Sequence, residues 1–398
     1  MHSDTTSLPR RRITLSPPGV VFAVIGLAAL FVPIVTFKPN RIVPGDGVWI
    51  TTAYDGVAGW LIVAILALLF LTGALKSLPP AVRIVAALAG LLGTIVILGH
   101  VATSLIADSA RGARVSPAAG LWCMLAAYLL AAVDVLNRLE LSLRARWMVL
   151  AGTVIVVVLV FASGYLANVS VMMEYAGRQA GFNAAFRQHL VLAFGSLGIA
   201  LVIGFPIGVL LFQVNGLRRP VLGALNLMQT VPSLALFGIM IPIFGWIAMN
   251  VPMAAKLGVA GIGIFPALVA LLFYSLLPVV SNTLVGLTGV APEVGEAARG
   301  MGMTNAQVLA RVQIPLALPV VLTAIRIVLV QNIGLAVIAG LIGGGGFGTF
   351  VFQGLNQSAM DLILLGTLPT IALALVAGTT LDLLVDALNT SPRKRSAS

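Results

Sequence analysis

The chain alternates between long apolar stretches and short polar segments. Each apolar stretch has about 20 residues, which as a helix is long enough to cross a hydrocarbon core of roughly 30 Å. Helices are favoured there because lipid offers no hydrogen-bond partner for exposed backbone N–H and C=O groups. The pattern therefore predicts an all-α polytopic membrane protein. About ten transmembrane helices are expected, at residues 19–36, 57–75, 82–107, 118–136, 147–167, 190–213, 221–245, 259–280, 316–341 and 361–386.

The predicted helices fall into two groups of five that differ in composition. The first group, in a membrane region at 1–167, is rich in Leu, Ala and Val. A more polar, amphipathic linker at 168–189 is expected on the periplasmic side, and the core follows at 190–390. Prolines punctuate the core, and membrane helices tolerate them where neighbouring helices or water satisfy the freed backbone groups. They favour kinked helices around a pathway, although Pro and Gly are in general commoner in membrane helices than in soluble ones.

The composition excludes an ordinary soluble enzyme. The mean hydropathy is +1.09, 60% of the residues are apolar and only 9% are charged. The net charge of +11 does not indicate nucleic acid as a partner, because the basic residues lie at the ends of loops rather than on one face. The single cysteine, Cys123, lies within an apolar run, so neither a disulfide framework nor a metal cluster is expected.

The distribution of Lys and Arg over alternate loops predicts the orientation of the chain. With the N-terminus inside, 15 of the 23 basic residues, among them Lys76, Arg83 and Arg138, fall on the cytoplasmic side. Seven fall on the opposite side, and Arg326 lies within a span. An excess of basic residues marks the cytoplasmic loops of membrane proteins. Both termini, including a basic tail at 391–398, and the polar loop at 281–315 are therefore predicted to be cytoplasmic.

The loop at 281–315 carries the local signals of a short helix–turn–helix. Helix-forming residues begin at Pro292, which suits a first helical turn. Gly302 suits the position after a helix that needs a left-handed backbone, and Thr304 or Asn305 can cap the next helix. That second helix is expected to end at Pro315. Taken alone, these signals are also compatible with an ordinary amphipathic connector.

The spacing within this loop resembles the EAA loop of bacterial ABC-importer permeases, whose pattern is E-A-A-x3-G-x9-I-x-L-P. Here Glu296-Ala297-Ala298 is followed by Gly302 and, after nine further residues, by Val312-x-Ile314-Pro315. Val312 and Ile314 replace the Ile and Leu of the pattern and keep its apolar character. In that family the loop couples the membrane subunit to its ATPase. The resemblance implies coupling roles for Glu296, Ala297, Ala298, Gly302, Leu309, Val312, Ile314 and Pro315.

Further segments within residues 186–390 are similar to the permeases that import osmoprotectants such as glycine betaine, carnitine and choline. They are Gln229-Thr-Val-Pro-Ser-Leu-Ala-Leu-Phe-Gly238, Phe273-Tyr-Ser-Leu-Leu-Pro278, Asn282-Thr283 and Gly300-Met-Gly-Met-Thr304. The spans before this region resemble an extension that only the longer members of the family carry. The resemblance implies that the last five helices form a type I ABC-importer permease core.

The same resemblance implies that the chain acts with other subunits in the inner (cytoplasmic) membrane of a bacterium. The expected partners are a cytoplasmic ABC ATPase, a periplasmic solute-binding protein and a second permease, either a copy of this chain or a paralogue. The chain has no Walker A sequence, so ATP and Mg²⁺ are expected on the ATPase and no cofactor on the chain itself. Two alternatives are an ABC permease for another small solute, such as an amino acid, and an ion-coupled secondary transporter.

A few polar residues within the predicted core spans are candidates for lining a pathway or for interhelical hydrogen bonds, with the two roles equally favoured. They are Gln229, Ser233, Gln331 and Asn332. Arg326 is different because it is charged, and a charge within a membrane is costly unless it is paired. A structural ion pair between Arg326 and either Asp382 or Asp386 of the last span is expected.

Neither a catalytic site nor a metal site is expected. The three histidines, His2, His100 and His189, share no ligand spacing. The sequence Gly343-x-Gly345-x-x-Gly348 formally matches a dinucleotide fingerprint, but it follows a membrane helix rather than a strand. A flexible or re-entrant external turn, on which a binding protein could dock, is expected there instead.

Overall fold

The computed structural model of the chain describes residues 14–40, 43–107, 109 and 112–388. It is almost entirely helical, which confirms the predicted all-α, multi-spanning fold. Within the described residues, nine helices are long and apolar enough to cross a membrane. They are Val57–Ala74, Pro80–Ala107, Ala119–Arg138, Leu143–Ala162, Gln179–Gln213, Ser233–Asn250, Ile264–Thr288, Asn305–Leu335 and Met360–Leu388.

The chain divides into two compact units, Met1–Met173 and Glu174–Ser398. The helices of the first unit are α1 (Pro17–Ala29), α2 (Ile50–Ala53), α3 (Val57–Ala74), α4 (Pro80–Ala107), α5 (Ala119–Arg138) and α6 (Leu143–Ala162). The division falls within α7 (Ser170–Gly177). In the first unit α1, α3, α4 and α5 pack together around the stacked rings of Phe70 and Tyr128, whose centroids are 3.9 Å apart.

The prediction of a span at 19–36 is wrong in its extent. α1 has only 13 residues, which make about 20 Å of helix, and after a turn the chain continues as a strand. The strands β1 (Val35–Lys38), β2 (Asp46–Val48) and β3 (Arg114–Pro117) form an antiparallel sheet in the order β2-β1-β3. The β-branched and aromatic residues of β1 favour a strand. Average hydropathy conceals this signal because the same residues are apolar.

The second unit contains the remaining helices, with α13 at its centre. They are α8 (Gln179–Leu190), α9 (Ser196–Gln213), α10 (Arg218–Thr230), α11 (Ser233–Asn250), α12 (Pro252–Lys256), α13 (Ile264–Thr288), α14 (Pro292–Gly300), α15 (Asn305–Val308), α16 (Ile314–Leu335), α17 (Gly348–Asn356) and α18 (Met360–Leu388). α13 packs against α9, α10, α11 and α16, and α18 packs against α16 and α17.

Several boundaries in this unit differ from those predicted, among them the end of α13, which lies at Thr288 rather than 280. Two further differences change the course of the chain. The segment predicted as a linker at 168–189 is helical, and α8 continues through a π-helical turn, Val191–Gly195, into α9. The predicted span at 221–245 is wrong because it is broken between α10 and α11. Val231 there has φ −68° and ψ 125°, the extended conformation that a following proline imposes, and Pro232 lacks the N–H that would continue the helix.

Candidate functional site

The loop predicted at 281–315 begins later than expected, because α13 continues to Thr288. The remainder of the loop folds as two helices joined by a tight turn. α14 ends in a Schellman motif, in which Gly302 N–H donates to the Arg299 carbonyl at 2.9 Å and Met303 N–H donates to the Ala298 carbonyl at 3.2 Å. The φ angle of Gly302 is +85°, a left-handed conformation that glycine adopts without the steric cost of a Cβ. The predicted position of Gly302 is confirmed.

Thr304 caps the second helix. Its Oγ1 accepts a hydrogen bond from Gln307 N–H at 3.3 Å, and Gln307 Oε1 accepts one from Thr304 N–H at 2.9 Å, which is a capping box. The prediction that this helix ends at Pro315 is wrong, because it continues through a π-helical turn, Leu309–Gln313, into α16. The wider turn makes room for the proline ring, which in a regular helix clashes with the carbonyl four residues earlier.

One face of α14 is exposed. Glu296 and Ala297 lie on it, whereas Ala298 is only 2% exposed. Gly295 is buried as well, and it lies beside Val308 of α15. The three residues of the EAA triplet therefore divide between two surfaces. Glu296 and Ala297 are available to a partner, and Ala298 lies in the buried part of the helix–turn–helix.

Two residues outside the EAA pattern extend the exposed face. Val294 is 38% exposed and Met301 is 78% exposed. With Ala297 they have the i, i+3, i+7 spacing that places side chains on one side of a helix. We call Val294, Ala297 and Met301 the α14 strip. Its spacing is readable in the sequence, and it was missed because the family pattern does not include Val294 or Met301.

The other predicted coupling residues lie at the base of the second helix. Leu309, Val312 and Ile314 are half-buried and Pro315 is exposed. They belong to the π-helical turn and the first turn of α16. The helical segment is continuous from Asn305 to Leu335, so these residues are part of the same helix as the span.

Asn332 is buried within the second unit and joins three of its helices. Its Nδ2 donates to Ser196 Oγ of α9 at 2.9 Å and to Ser275 Oγ of α13 at 2.8 Å. All three side chains are 0% exposed. Of the two roles open to Asn332 in the sequence, the structure shows interhelical hydrogen bonding.

Replacing Asn332 by Leu is expected to lower the free energy of unfolding by about 1–2 kcal/mol, because its interhelical hydrogen bonds with Ser196 and Ser275 are lost. Ser196 and Ser275 each keep a bond to a carbonyl of their own helix, at 2.6 and 2.7 Å, which limits the cost. Thermal unfolding in detergent measures the effect. Gln331→Leu, one residue away and half-buried, is the matched control, and equal losses of stability in both variants would contradict the role of Asn332.

The other three pathway candidates are half-buried. Gln229 Nε2 donates to the Tyr274 carbonyl at 2.9 Å and so links α10 to α13. Ser233 is the first residue of α11, and Gln331 lies on α16. These three side chains are partly accessible at the surface of the unit, and their role in a pathway stays a prediction.

Arg326 of α16 forms an ion pair with Asp382 of α18, one of the two partners that the sequence suggests. Both side chains are partly exposed, at 34% and 43%. The pair lies between two spans that pack against each other. It neutralises both charges within the helical bundle, as an intramembrane charge requires.

The glycine-rich segment between α16 and α17 is packed inside the second unit. Gly345 and Gly346 have left-handed backbones, and Gly346 N–H donates to Gln188 Oε1 of α8 at 3.1 Å. Phe347 is 0% exposed, and its ring centroid lies 5.0 Å from that of His189. Of the two alternatives in the sequence, this buried arrangement argues against a flexible turn and leaves a re-entrant turn open. The docking of a binding protein on it stays a prediction.

Two family models match the chain, and they divide it close to the boundary between its two units. Residues 16–172 match the N-terminal domain of the ABC transporter permease YehY. Residues 196–394, half of the chain, match the binding-protein-dependent transport system inner membrane component. The chain therefore belongs to the family of binding-protein-dependent permeases, which are membrane subunits of ABC transporters. It is a longer form with a YehY-type N-terminal domain.

Several relatives are similar to about half of the chain. The osmoprotectant import permease protein OsmW of Salmonella typhimurium is 42% identical over 205 residues, which cover 51% of this chain and 90% of that protein. The carnitine transport permease protein OpuCB of Listeria monocytogenes is 38% identical over 48% of this chain and 79% of that protein. The glycine betaine/carnitine/choline permease OpuCB of Bacillus subtilis is 35% identical, over 48% of this chain and 80% of its own length. The resemblance to osmoprotectant permeases is thus confirmed.

Proposed function

We propose that this chain is the transmembrane permease subunit of an ATP-driven importer for osmoprotectants, with glycine betaine or a related quaternary ammonium solute as substrate. The named functions of the three relatives support the substrate class. The exposed α14 strip supports the coupling to an ATPase, and it is the observation that carries the proposal.

The α14 strip suits a protein partner. Two of its residues, Val294 and Met301, are large, apolar and exposed, on a short helix in a polar loop between spans. Apolar residues grouped on such a surface mark a protein interface. Ala297 between them has only a methyl group, so the partner approaches the helix backbone closely. Glu296 at the edge of the strip offers a carboxylate to a basic group of the partner.

The partner at α14 is a cytoplasmic ABC ATPase, which binds ATP and Mg²⁺, while this chain binds no cofactor and has no enzymatic activity. A second permease, a copy or a paralogue, completes the pathway, and a periplasmic binding protein delivers the solute. The assembly lies in the bacterial inner membrane with both termini of this chain in the cytoplasm. The basic residues of the predicted cytoplasmic loops support this orientation.

The continuous helix from Asn305 to Leu335 connects the ATPase-binding loop mechanically to the membrane span. When ATP binding draws the ATPases together, the α14 helix, which is docked on the ATPase, moves with them. α15 and α16 follow, because α14 packs against both α15 and the π-helical turn. The pathway then opens towards the docked binding protein, and ATP hydrolysis resets it.

The substrate class is tested by uptake of labelled solutes into proteoliposomes that contain this chain together with its ATPase and its binding protein. Uptake of glycine betaine, choline or carnitine is expected to exceed that of methionine or taurine by about 100-fold, because the binding protein excludes solutes that lack the quaternary ammonium group. Uptake of methionine or taurine without uptake of betaine would overturn the substrate and leave the permease function standing.

A further inference from the structure

In the second unit, α10 and α11 pack along different halves of the same long helix, α13. Leu225 of α10 packs against a cluster that includes Val280 and Leu284, in the second half of α13. Phe237 of α11 belongs to a cluster with Ala267, in the first half of α13. The two helices therefore follow α13 one after the other, and the chain is interrupted where one ends and the next begins.

This interruption, residues 229–233, lies near the middle of a span, and we call it the mid-span break. Gln229 Nε2 donates to the Tyr274 carbonyl of α13 at 2.9 Å, and the Tyr274 hydroxyl donates to the Val231 carbonyl. Tyr274 lies ten residues from the start of α13 and fourteen from its end, which is about 15 Å and 21 Å along the helix axis. A hydrocarbon core of roughly 30 Å that α13 crosses therefore contains the break.

The backbone at the mid-span break has polar groups that the helices do not satisfy. The last carbonyls of α10 and the first N–H groups of α11 have no partner within their own helix. The first helical bond of α11 runs from Leu236 N–H to the Pro232 carbonyl at 2.9 Å, and no described side chain caps this end. The N–H groups of residues 233–235 precede that bond, so they need water or a polar group from elsewhere.

One side of the mid-span break is open. Thr230 and Pro232 are exposed, and Leu234 at the start of α11 is 59% exposed. Gln229 and Ser233 are half-buried, and no residue of α10 is buried. Within the second unit the break is therefore covered where it meets α13 and uncovered elsewhere.

An open break at this depth is incompatible with contact to lipid. Hydrocarbon offers no hydrogen bonds, and non-helical backbone at membrane depth is tolerated only inside protein or beside a water-filled cavity. A regular helix differs, because it satisfies its own backbone. Ile155 of α6, which is 56% exposed, can therefore face lipid without this cost. The side chains of Gln229, Thr230 and Ser233 at the break are polar, which favours water over a dry protein contact.

We propose that the open side of the mid-span break lines the water-filled pathway of the transporter, with Thr230 and Leu234 among the residues that the passing solute meets. The inference rests on the proposed function, since a pathway is expected of a permease. It adds the location of the pathway on the second unit, at the face of α10 and α11 that α13 leaves uncovered.

The test is the reactivity of single cysteines at the break, in the full-length chain assembled with its ATPase in nanodiscs. Cys123, the single native cysteine, is first replaced by alanine. Thr230→Cys and Leu234→Cys are then treated with a charged, membrane-impermeant methanethiosulfonate. Ile155→Cys, near the middle of the regular helix α6 and similarly exposed, is the matched control. Because the reagent attacks the thiolate, which forms in water, both break variants are expected to react at least about 10-fold faster than the control.

Two further measurements exclude trivial causes of a difference in rate. After denaturation in sodium dodecyl sulfate all three thiols should react equally, which shows that the folded protein sets the rates. In proteoliposomes that also contain the binding protein, complete modification of Thr230→Cys is expected to lower uptake by about 10-fold or more, because the attached charged group narrows the pathway. The same treatment of Ile155→Cys should leave uptake unchanged.

Equal reaction rates at the break and at Ile155→Cys in the folded complex would overturn the proposal. Break thiols that stay unreactive until the protein is denatured would place the break inside a dry contact with another subunit, which also contradicts a pathway there. Unchanged uptake after complete modification of Thr230→Cys would do the same. The reaction rates do not depend on which solute is transported, so a failure of betaine uptake, which sinks the proposed substrate, is distinguishable from a failure of this inference.

Discussion

A chain carrying Glu296→Lys together with Gly302→Val is expected to lose about 100-fold or more of its uptake activity while it is still inserted into the membrane. The lysine reverses the charge at the edge of the α14 strip, and reversal of a charge at an interface costs several kcal/mol. The valine cannot adopt the φ of +85° found at Gly302 without strain, so the Schellman turn opens and α14 changes its direction. The ATPase should no longer co-purify with the permease.

Two measurements separate this effect from a general folding defect. Membrane fractions and thermal unfolding show whether the variant is inserted and folded. Insertion is expected to be unchanged because the changed residues are exposed, and the strained backbone at position 302 is expected to lower the free energy of unfolding by only about 1–3 kcal/mol. Gly216→Ala, at a position with open space around it outside α14, is the control and should retain uptake. Unchanged uptake by the double variant would refute the coupling role of the loop.

A second large effect, a loss of stability, is expected from Gly348→Ala at the start of α17. A Cβ on Gly348 would collide with the backbone of Val337, with only 2.7 Å to its carbonyl carbon and 3.0 Å to its Cα. The neighbouring Gly340 likewise lies close to the Gly348 backbone. Backbone atoms cannot move aside as a flexible side chain can, so α17 must separate from the end of α16. The cost of overpacking is about 1–3 kcal/mol or more.

The expected result of Gly348→Ala is a lower unfolding temperature and little protein in the membrane. Gly334→Ala is the matched control, because Gly334 lies in α16 with nothing within 4 Å of its Cβ position. Alanine there should be neutral or stabilising by up to about 1 kcal/mol. Equal behaviour of the two variants, measured by thermal unfolding of purified protein, would show that the close approach at Gly348 is unimportant.

Much of the fold of the loop that contains α14 and α15 could be predicted from the sequence, because its signals are local. Gly302 and Thr304 act within one or two turns of the chain, and a left-handed glycine and a capping threonine have the same effect in any protein. The continuation of the helix beyond Pro315 could not be predicted from such local signals. It depends on a π-helical turn, which has no simple sequence signal.

Features that depend on distant parts of the chain could not be predicted. Asn332 is hydrogen-bonded to Ser275 and Ser196, which lie 57 and 136 positions earlier in the sequence. The sequence therefore left two roles open for it, lining a pathway and bonding between helices. The span predicted at 19–36 includes the start of β1, because hydropathy does not distinguish an apolar strand from an apolar helix. The ion pairs of Arg83 and Arg138 with Asp134 also escaped prediction, since both arginines were visible in the sequence only as topology signals.

The central claim is that this permease works through an ATPase seated on α14, and ATP-dependent uptake tests it most directly. Proteoliposomes should contain the chain, its ATPase and its binding protein, with ATP or a non-hydrolysable analogue on the ATPase side. Betaine accumulation is expected with ATP, and none is expected with the analogue or without the ATPase. Accumulation that persists without the ATPase and follows an ion gradient would contradict the claim and identify a secondary transporter.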